Sequence, residues 1–482
     1  MATNKASQEY AGIRFAVVES VSKESQAARV VFSTNEQDEV IVEGSGKKAL
    51  SFSIGKEPLG RIPRHLFFRK AVQFAKSHKI KSLVFSLPEI LERSIPELKS
   101  ADMVADELAM NALLAQFDFT IYKTAPRGGW STVEEIILES PKESHAEIKA
   151  GFAHGKLIAE KINIARALSN TPGGEMTPTV LAREAKELVR GANTKLTVLG
   201  TKEMAKLGMG GVLGVARGSD EEPKFIVAEY WGGNKKDAPV VLVGKGVTFD
   251  TGGLNLKPES GIYEMHMDMS GGAVVLAALS AAADLKLKKN VVAIVPAVEN
   301  MPSGSSYHPG DVLRTMNGKT IEVLNTDAEG RVILSDALEY AKRYNPSLVV
   351  DVATLTGAAM SALGQRTSAL FTKEADLEKM FRELGEESGD RVWPLPLWDE
   401  YEREIKGTFG DWANLGKTRY GGAITGAMFL YQFVKNADGK AAYPWVHIDM
   451  APRMTSIEGD YLAKGSSGEP VRLLVKLLEK II

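Results

Sequence analysis

The sequence predicts an α/β protein of two domains, each a mixed or mostly parallel sheet flanked by helices, joined by a long helix. Three observations carry that expectation. At 482 residues the chain exceeds what one ordinary hydrophobic core serves. Short β-branched runs alternate with helical patterns along most of its length, which is the signature of a many-stranded sheet with helices on both faces. A long helical stretch over residues 145–168 repeats Ile148, Phe152, Leu157, Ile158, Ile162 and Ala165 at three- and four-residue steps, then stops at the breaker Asn170-Thr171-Pro172-Gly173-Gly174. The expected organisation is an N-terminal α/β domain over 1–145, a linker helix over 146–170 and a catalytic domain over 171–482.

In the first domain, residues 13–18, 28–32 and 82–85 read as strands, and 64–75 and 101–116 as helices. No chemical constellation stands out there. In the second, 239–243, 291–295, 320–324 and 347–352 read as buried strands. Between them lie 272–285, almost all Ala, Val and Leu, and 330–343, with Leu334, Ala337, Leu338 and Ala341 on one face; both are expected helices. Residues 374–390 form a charge-rich helix whose ordinary role is a solvated face. No fixed-period repeat or low-complexity tract occurs.

Composition narrows the function. A hydrophobic content of 44% with 25% charged residues is that of a soluble globular protein. A net charge of -2 gives no electrostatic case for nucleic acid or an anionic membrane as the main partner. The sequence has no cysteine, which excludes disulfides, zinc fingers, iron–sulfur clusters and thiol catalysis, and fits a reducing compartment. Residues 1–10 lack the apolar stretch of a secretory signal, and no run of about 18 apolar residues occurs. A soluble, cytoplasmic protein is expected.

The chemistry concentrates in two segments. Asn325-Thr326-Asp327-Ala328-Glu329-Gly330-Arg331-Val332 sets two carboxylates two residues apart with a guanidinium two positions later. Upstream, Lys245-Gly246-Val247-Thr248-Phe249-Asp250-Thr251-Gly252-Gly253 is followed by Lys257 and Asp268. In open α/β sheets ligands sit beyond the carboxyl ends of strands, where these residues fall. Asp250, Asp268, Asp327 and Glu329 bring four negative charges that two divalent cations would cancel; without metal they would repel and raise one another's pKa. Lys245 can join such a site as the neutral amine, which adjacent dications could enforce. An oxygen-rich set with one nitrogen and no thiolate suits Zn²⁺, Mn²⁺, Co²⁺ or Mg²⁺. Two ions would turn a bridging water into hydroxide and polarise a carbonyl. Lys257 is placed to stabilise the resulting oxyanion. Arg331 could hold a small anion or carboxylate that shuttles protons.

Each piece alone has an ordinary reading: Gly252-Gly253 as a turn, Asp327-Ala328-Glu329 as a helix N-terminus, Lys257 as a surface lysine. Their joint occurrence in fewer than about 90 residues is what favours a site over those readings. The histidines compete poorly. His65, His78, His145 and His154 lie in helical patterns away from the acids, His266 is open to either reading, and His308 and His447 read as loop and core residues. Ser270 and Ser303 to Ser306 lack a Gly-x-Ser-x-Gly context, which argues against a serine hydrolase.

Asn325 to Arg331 resembles the signature of the cytosolic leucyl aminopeptidase family of metallopeptidases. The resemblance continues through Val243 to Gly253, Asp268-Met269, Glu299 to Gly304, Asp351 to Gly357, Gly421 to Thr425 and His447 to Ala451, and covers about residues 160 to 482. It implies that Lys245, Asp250, Asp268, Asp327 and Glu329 are the metal ligands, with Asp250 and Glu329 bridging and the Asp327 carbonyl also ligating. It further implies that Lys257 stabilises the gem-diolate and Arg331 binds a bicarbonate acting as general base. Met265, Thr354, Leu355, Gly357 and Ala451 match positions lining the pocket for the first side chain, an apolar lining suited to leucine-like residues. Two ions per subunit (Zn²⁺ and/or Mn²⁺), peptide substrates and a homohexamer of two stacked trimers follow from the same resemblance. His266 and His308 depart from the family pattern, where Lys or Arg is usual, which touches substrate preference or pH response. The alternatives are a bimetallic phosphoesterase, which would want more His or Arg, and a family member with an additional DNA-binding or regulatory role.

Overall fold

The computed structural model describes residues 12–22, 25–33, 40–44, 47–53 and 57–481. The chain gathers into two compact units. Among the described residues, one comprises those up to 163 together with 456–464, the other 164–455 with 465–481, so the break falls inside the helix His145–Asn170.

The first unit holds a six-stranded sheet. Its strands are β1 (Arg14–Val18), β2 (Ala28–Ser33), β3 (Val40–Gly44), β4 (Lys47–Ser53), β5 (Ser82–Ser86) and β6 (Glu135–Glu139), in the order β1-β6-β5-β2-β4-β3. All neighbours run parallel except the edge pair β3 and β4. Helices Arg61–Ser77 and Ala101–Gln116 pack on each other around a buried ion cluster that the sequence pattern did not disclose. Arg64 Nε donates to Glu107 Oε2 at 2.7 Å. Burial works against ionisation of Glu107, but His65, Arg64 and Arg61 outweigh it and hold the carboxyl down at about 2. Arg64 also donates to Ser94 Oγ at 3.2 Å and to the Leu98 carbonyl at 2.8 Å, which ties the cluster to the segment between the helices.

The second unit is built on a nine-stranded mixed sheet. Its members are β7 (Thr194–Leu199), β8 (Lys224–Trp231), β9 (Val240–Gly244), β10 (Gly246–Asp250), β11 (Asn290–Asn300), β14 (Leu348–Ala353), β15 (Ser368–Phe371), β16 (Val392–Pro394) and β18 (Trp445–Asp449). The order is β16-β15-β18-β14-β9-β11-β8-β7, with β10 also beside β11. The centre, β18-β14-β9-β11, is parallel; β9, β11 and β14 are the β-branched runs read from the sequence, whereas β18 was not. Antiparallel neighbours flank it. One expectation needs correcting: residues 320–324 do not join this sheet. Thr320–Glu322 is β13 of a separate three-stranded sheet with β12 (Val312–Arg314) and β17 (Trp412–Ala413). A short β-branched run reads the same in either setting, and the deciding pairing with β17 lies some 90 residues away in sequence.

Helix Ser270–Asp284 is buried along almost its whole length, which its Ala, Val and Leu composition requires. Its close approach to the strands depends on glycine. A Cβ at Gly271 would sit 2.2 Å from the Val352 carbonyl oxygen, and one at Gly244 would sit 2.5 Å from the Gly271 carbonyl oxygen. Helix Glu329–Ala341 packs against the sheet too, with Val332, Ile333, Leu334, Ala337 and Leu338 in the core.

Gly271→Ala therefore overpacks a backbone-to-backbone contact, at a cost of about 1–3 kcal/mol. The expected outcome is a fall of several degrees in melting temperature by calorimetry; an unchanged value would contradict the close approach.

Candidate active site

The site assembles at the carboxyl ends of the central strands. Lys245 occupies the single residue between β9 and β10, where its N–H donates to the Val352 carbonyl at 3.0 Å and its own carbonyl accepts from Gly272 N at 2.7 Å. The chain steps from pairing with the first half of β11 to pairing with the second half, and Lys245 turns inward at the step. Its side chain passes over Gly330, where a Cβ would lie 2.5 Å from Lys245 Cε. Nζ ends 2.7 Å from Asp268 Oδ2 and 2.8 Å from Glu329 Oε1, and donates to the Thr354 carbonyl at 3.1 Å.

Asp250 closes β10. Its Oδ1 accepts from Gly252 N and from Asn300 Nδ2, both at 2.8 Å. Gly252 (φ 86°) turns the chain so that Lys257 N reaches the Thr251 carbonyl at 2.9 Å. Lys257 Nζ lies 2.8 Å from Asp250 Oδ2 and 2.5 Å from Asp327 Oδ1. Asp268 precedes the buried helix, and its Oδ1 accepts from Thr354 Oγ1 at 2.6 Å and from Lys245 Nζ at 2.8 Å.

Asp327 stands on a tightly held loop. Asn300 Nδ2 and Tyr307 OH both donate to the Thr326 carbonyl, at 2.9 and 2.7 Å. Asn414, fully buried, accepts from Leu324 N and Asn325 N and donates back to the Asn325 carbonyl. Glu329 is the first residue of its helix, where the positive end of the dipole favours a carboxylate. Asp250, Asp327 and Glu329 each offer an oxygen within 4.8 Å of the others.

Four carboxylates thus face two ammonium groups, and the balance is negative. Burial drives the Asp268 carboxyl up to about 8, with Glu329 and Asp250 adding to it against the pull of Lys245. Burial also raises Asp250 and Asp327. Burial alone would lower Lys245, but Asp268, Glu329 and Asp250 more than reverse it, so the amine is held as ammonium. Asp268 Oδ2, Asp327 Oδ1 and both Glu329 oxygens are buried with no donor aligned on them, although lysine Nζ atoms lie within ion-pair reach of three of these four. Surplus carboxylate charge and unfilled acceptor oxygens fit divalent cations held by Lys245, Asp250, Asp268, Asp327 and Glu329.

A cavity of about 780 Å³ opens beside this cage and is lined by the five expected ligands, Lys257, Arg331 and the five residues expected to face the first side chain. Met265, Leu355, Met360, Ala451 and Met454 form an apolar wall, with Thr354 and Gly357 beside it. Arg331 is buried at its edge; Nη1 donates to the Asn414 carbonyl at 2.9 Å, while Nε has no hydrogen-bond partner among the described residues. The wall is braced from behind by Asp449, which accepts from Leu355 N, Thr356 Oγ1 and Ala451 N. Asp449, Asn300 and Asn414 were not picked out from the sequence. The first two lie inside the quoted motifs, whereas Asn414 carries no local signal. Neither His266 nor His308 lines the cavity, and His447 lies buried on β18 with Nδ1 2.5 Å from Asp351 Oδ1.

With this geometry in place, the likenesses to known proteins are specific. A family model described as the catalytic domain of the cytosol aminopeptidase family matches residues 163–475. A probable cytosol aminopeptidase of Azoarcus sp. (strain BH72) is 50% identical over 332 residues, covering 69% of this chain and 64% of its own. Another, of Roseiflexus castenholzii, is 43% identical over 412 residues, covering 85% and 82%. The chain therefore spans just under two thirds of the first relative and most of the second. Among solved structures, the bottromycin maturation enzyme BotP in complex with Mn superposes with a TM-score of 0.81 at 32% identity, over 94% of this chain and 98% of that one. A mutant of tomato leucine aminopeptidase superposes with a TM-score of 0.84 at 28% identity, over 97% of each.

Because Lys245 is protonated in the metal-free cage, a cation that takes its place must expel a proton. Affinity for Mn²⁺ or Zn²⁺ should rise with pH, roughly tenfold per unit for each proton released. Titration calorimetry in buffers of different protonation enthalpy reads both quantities; affinity independent of pH would contradict the arrangement.

Proposed function

This chain belongs to the cytosol aminopeptidase family, and from that premise we propose that it is a metalloaminopeptidase, releasing N-terminal, preferably leucine-like, residues from peptides with two divalent ions. The observation that carries the reading is the buried cage of four carboxylates and Lys245 opening directly onto a cavity with an apolar wall. The cage fits Zn²⁺ and/or Mn²⁺, and the Mn in the BotP complex supports the second. When bound, the two ions supply a water of lowered pKa as nucleophile and positive charge for the carbonyl under attack.

The chain's own groups do the rest. Lys257, held as ammonium beside Asp250 and Asp327, adds a cation for the oxyanion of the tetrahedral intermediate. Arg331, which lines the cavity and whose Nε has no hydrogen-bond partner among the described residues, holds a small anion such as bicarbonate that takes a proton from water and returns it to the leaving amine. The wall of Met265, Thr354, Leu355, Gly357 and Ala451 accepts an apolar first side chain, each buried methylene adding about 0.8 kcal/mol. A cytoplasmic location and assembly as a homohexamer belong to the same reading. The names of the relatives support the first and the family resemblance the second.

Asp327→Ala and Glu329→Ala should each abolish turnover of leucyl anilides and strip bound metal. Lys257→Ala should lower kcat by about 10²–10³-fold while metal content stays near that of the parent. Steady-state kinetics and metal analysis on the same preparations test both; wild-type turnover in either carboxylate variant would refute the assignment.

A further inference from the structure

The cavity has an outer lining that the proposed chemistry leaves unused. Its charged side chains are the six of the cage, Arg331, and two more, Lys417 and Arg419. Both are exposed and lie between β17 and helix Gly422–Val434. The segment is anchored through its backbone: Lys417 N donates to the Glu404 carbonyl at 2.9 Å. The Arg419 guanidinium lies over the Tyr420 ring at 5.3 Å. Among the described residues neither cation has a carboxylate partner, and no carboxylate outside the cage lines the cavity.

These facts bear on the half of the substrate that leaves. If the first side chain takes the apolar wall, the rest of the peptide must pass the remaining lining, whose charges are these two cations. An extended peptide advances about 3.3–3.6 Å per residue. A carboxylate in the first or second residue beyond the scissile bond therefore stays close to the cage, within the sweep of long Lys and Arg side chains. The geometry points to a leaving-side anion subsite: Lys417 and Arg419 favour peptides with a carboxylate there. That class comprises di- and tripeptides with a free C-terminus and longer peptides with Asp or Glu after the cleaved bond. The inference rests on the aminopeptidase reading and adds the substrate class to it. Exposed ion pairs of this kind are worth about twofold to fivefold each and weaken with salt.

The test uses metal-loaded, full-length protein and compares kcat/KM for Leu-Gly with Leu-Gly-amide, and for Leu-Asp-amide with Leu-Lys-amide. Ratios within one preparation cancel any loss of folded or loaded enzyme. The parent should favour the anionic member of each pair by about fivefold to tenfold at low salt. The ratio should fall towards one at about 1 M salt. In the Lys417→Glu/Arg419→Glu double variant it should drop below one. A parent ratio near one, or an unchanged ratio in the variant, overturns the subsite while cleavage of leucine amide still upholds the peptidase reading. No cleavage of leucine amide removes that reading and the subsite with it.

Discussion

Surplus negative charge in a buried place governs the second unit. Asp250, Asp268, Asp327 and Glu329 bring four charges into a pocket that Lys245 and Lys257 neutralise by half. Burial penalises charged forms, so the carboxyls of Asp268, Asp250 and Asp327 are all pushed upward. Such a cluster is costly to fold without cations and gains stability from any ligand that binds the folded form alone. The carboxylates, the orphaned oxygens and the protonated lysine are one statement about charge.

Holding that charge together takes rigid support. The cage groups come from the ends of β9 and β10, from Asp268 two residues before the buried helix, from Asp327 on its loop and from Glu329 at the start of helix Glu329–Ala341. Asn300 ties the end of β11 to both Asp250 and the Thr326 carbonyl. Asn414 fixes the Asn325 loop and the Arg331 guanidinium together. Asp449 serves the cavity wall in the same manner, and Thr354 links wall to cage by donating to Asp268 from the same segment. The apolar wall and the carboxylate cage are therefore joined through residues 354–356.

Much of this was legible in the sequence. Strands β9, β11 and β14 of the parallel centre appeared as β-branched runs because strands covered on both faces carry apolar residues throughout. The cage appeared as acids and lysines at turn positions, and the structure brings all five proposed ligands and both proposed catalytic cations to one cavity. Strands β7, β8, β10, β15, β16 and β18 were missed, since their pairing is set by tertiary neighbours rather than by local pattern. Residues 320–324 read as a strand of the main sheet for the same reason. Asn300, Asn414 and Asp449 were passed over because one amide or carboxylate looks like any other until its partners are known. Lys417 and Arg419 gave no signal, as exposed cations in a loop are ordinary without a cavity beside them.

Anomalous diffraction from crystals grown with Mn²⁺ tests the cage most directly. Two peaks are expected about 3.5–4 Å apart among Asp250, Asp268, Asp327 and Glu329, with Lys245 Nζ turned from its carboxylate partners to one of them. A single peak, or none, with both lysines still paired to the carboxylates would contradict a cage built for two dications.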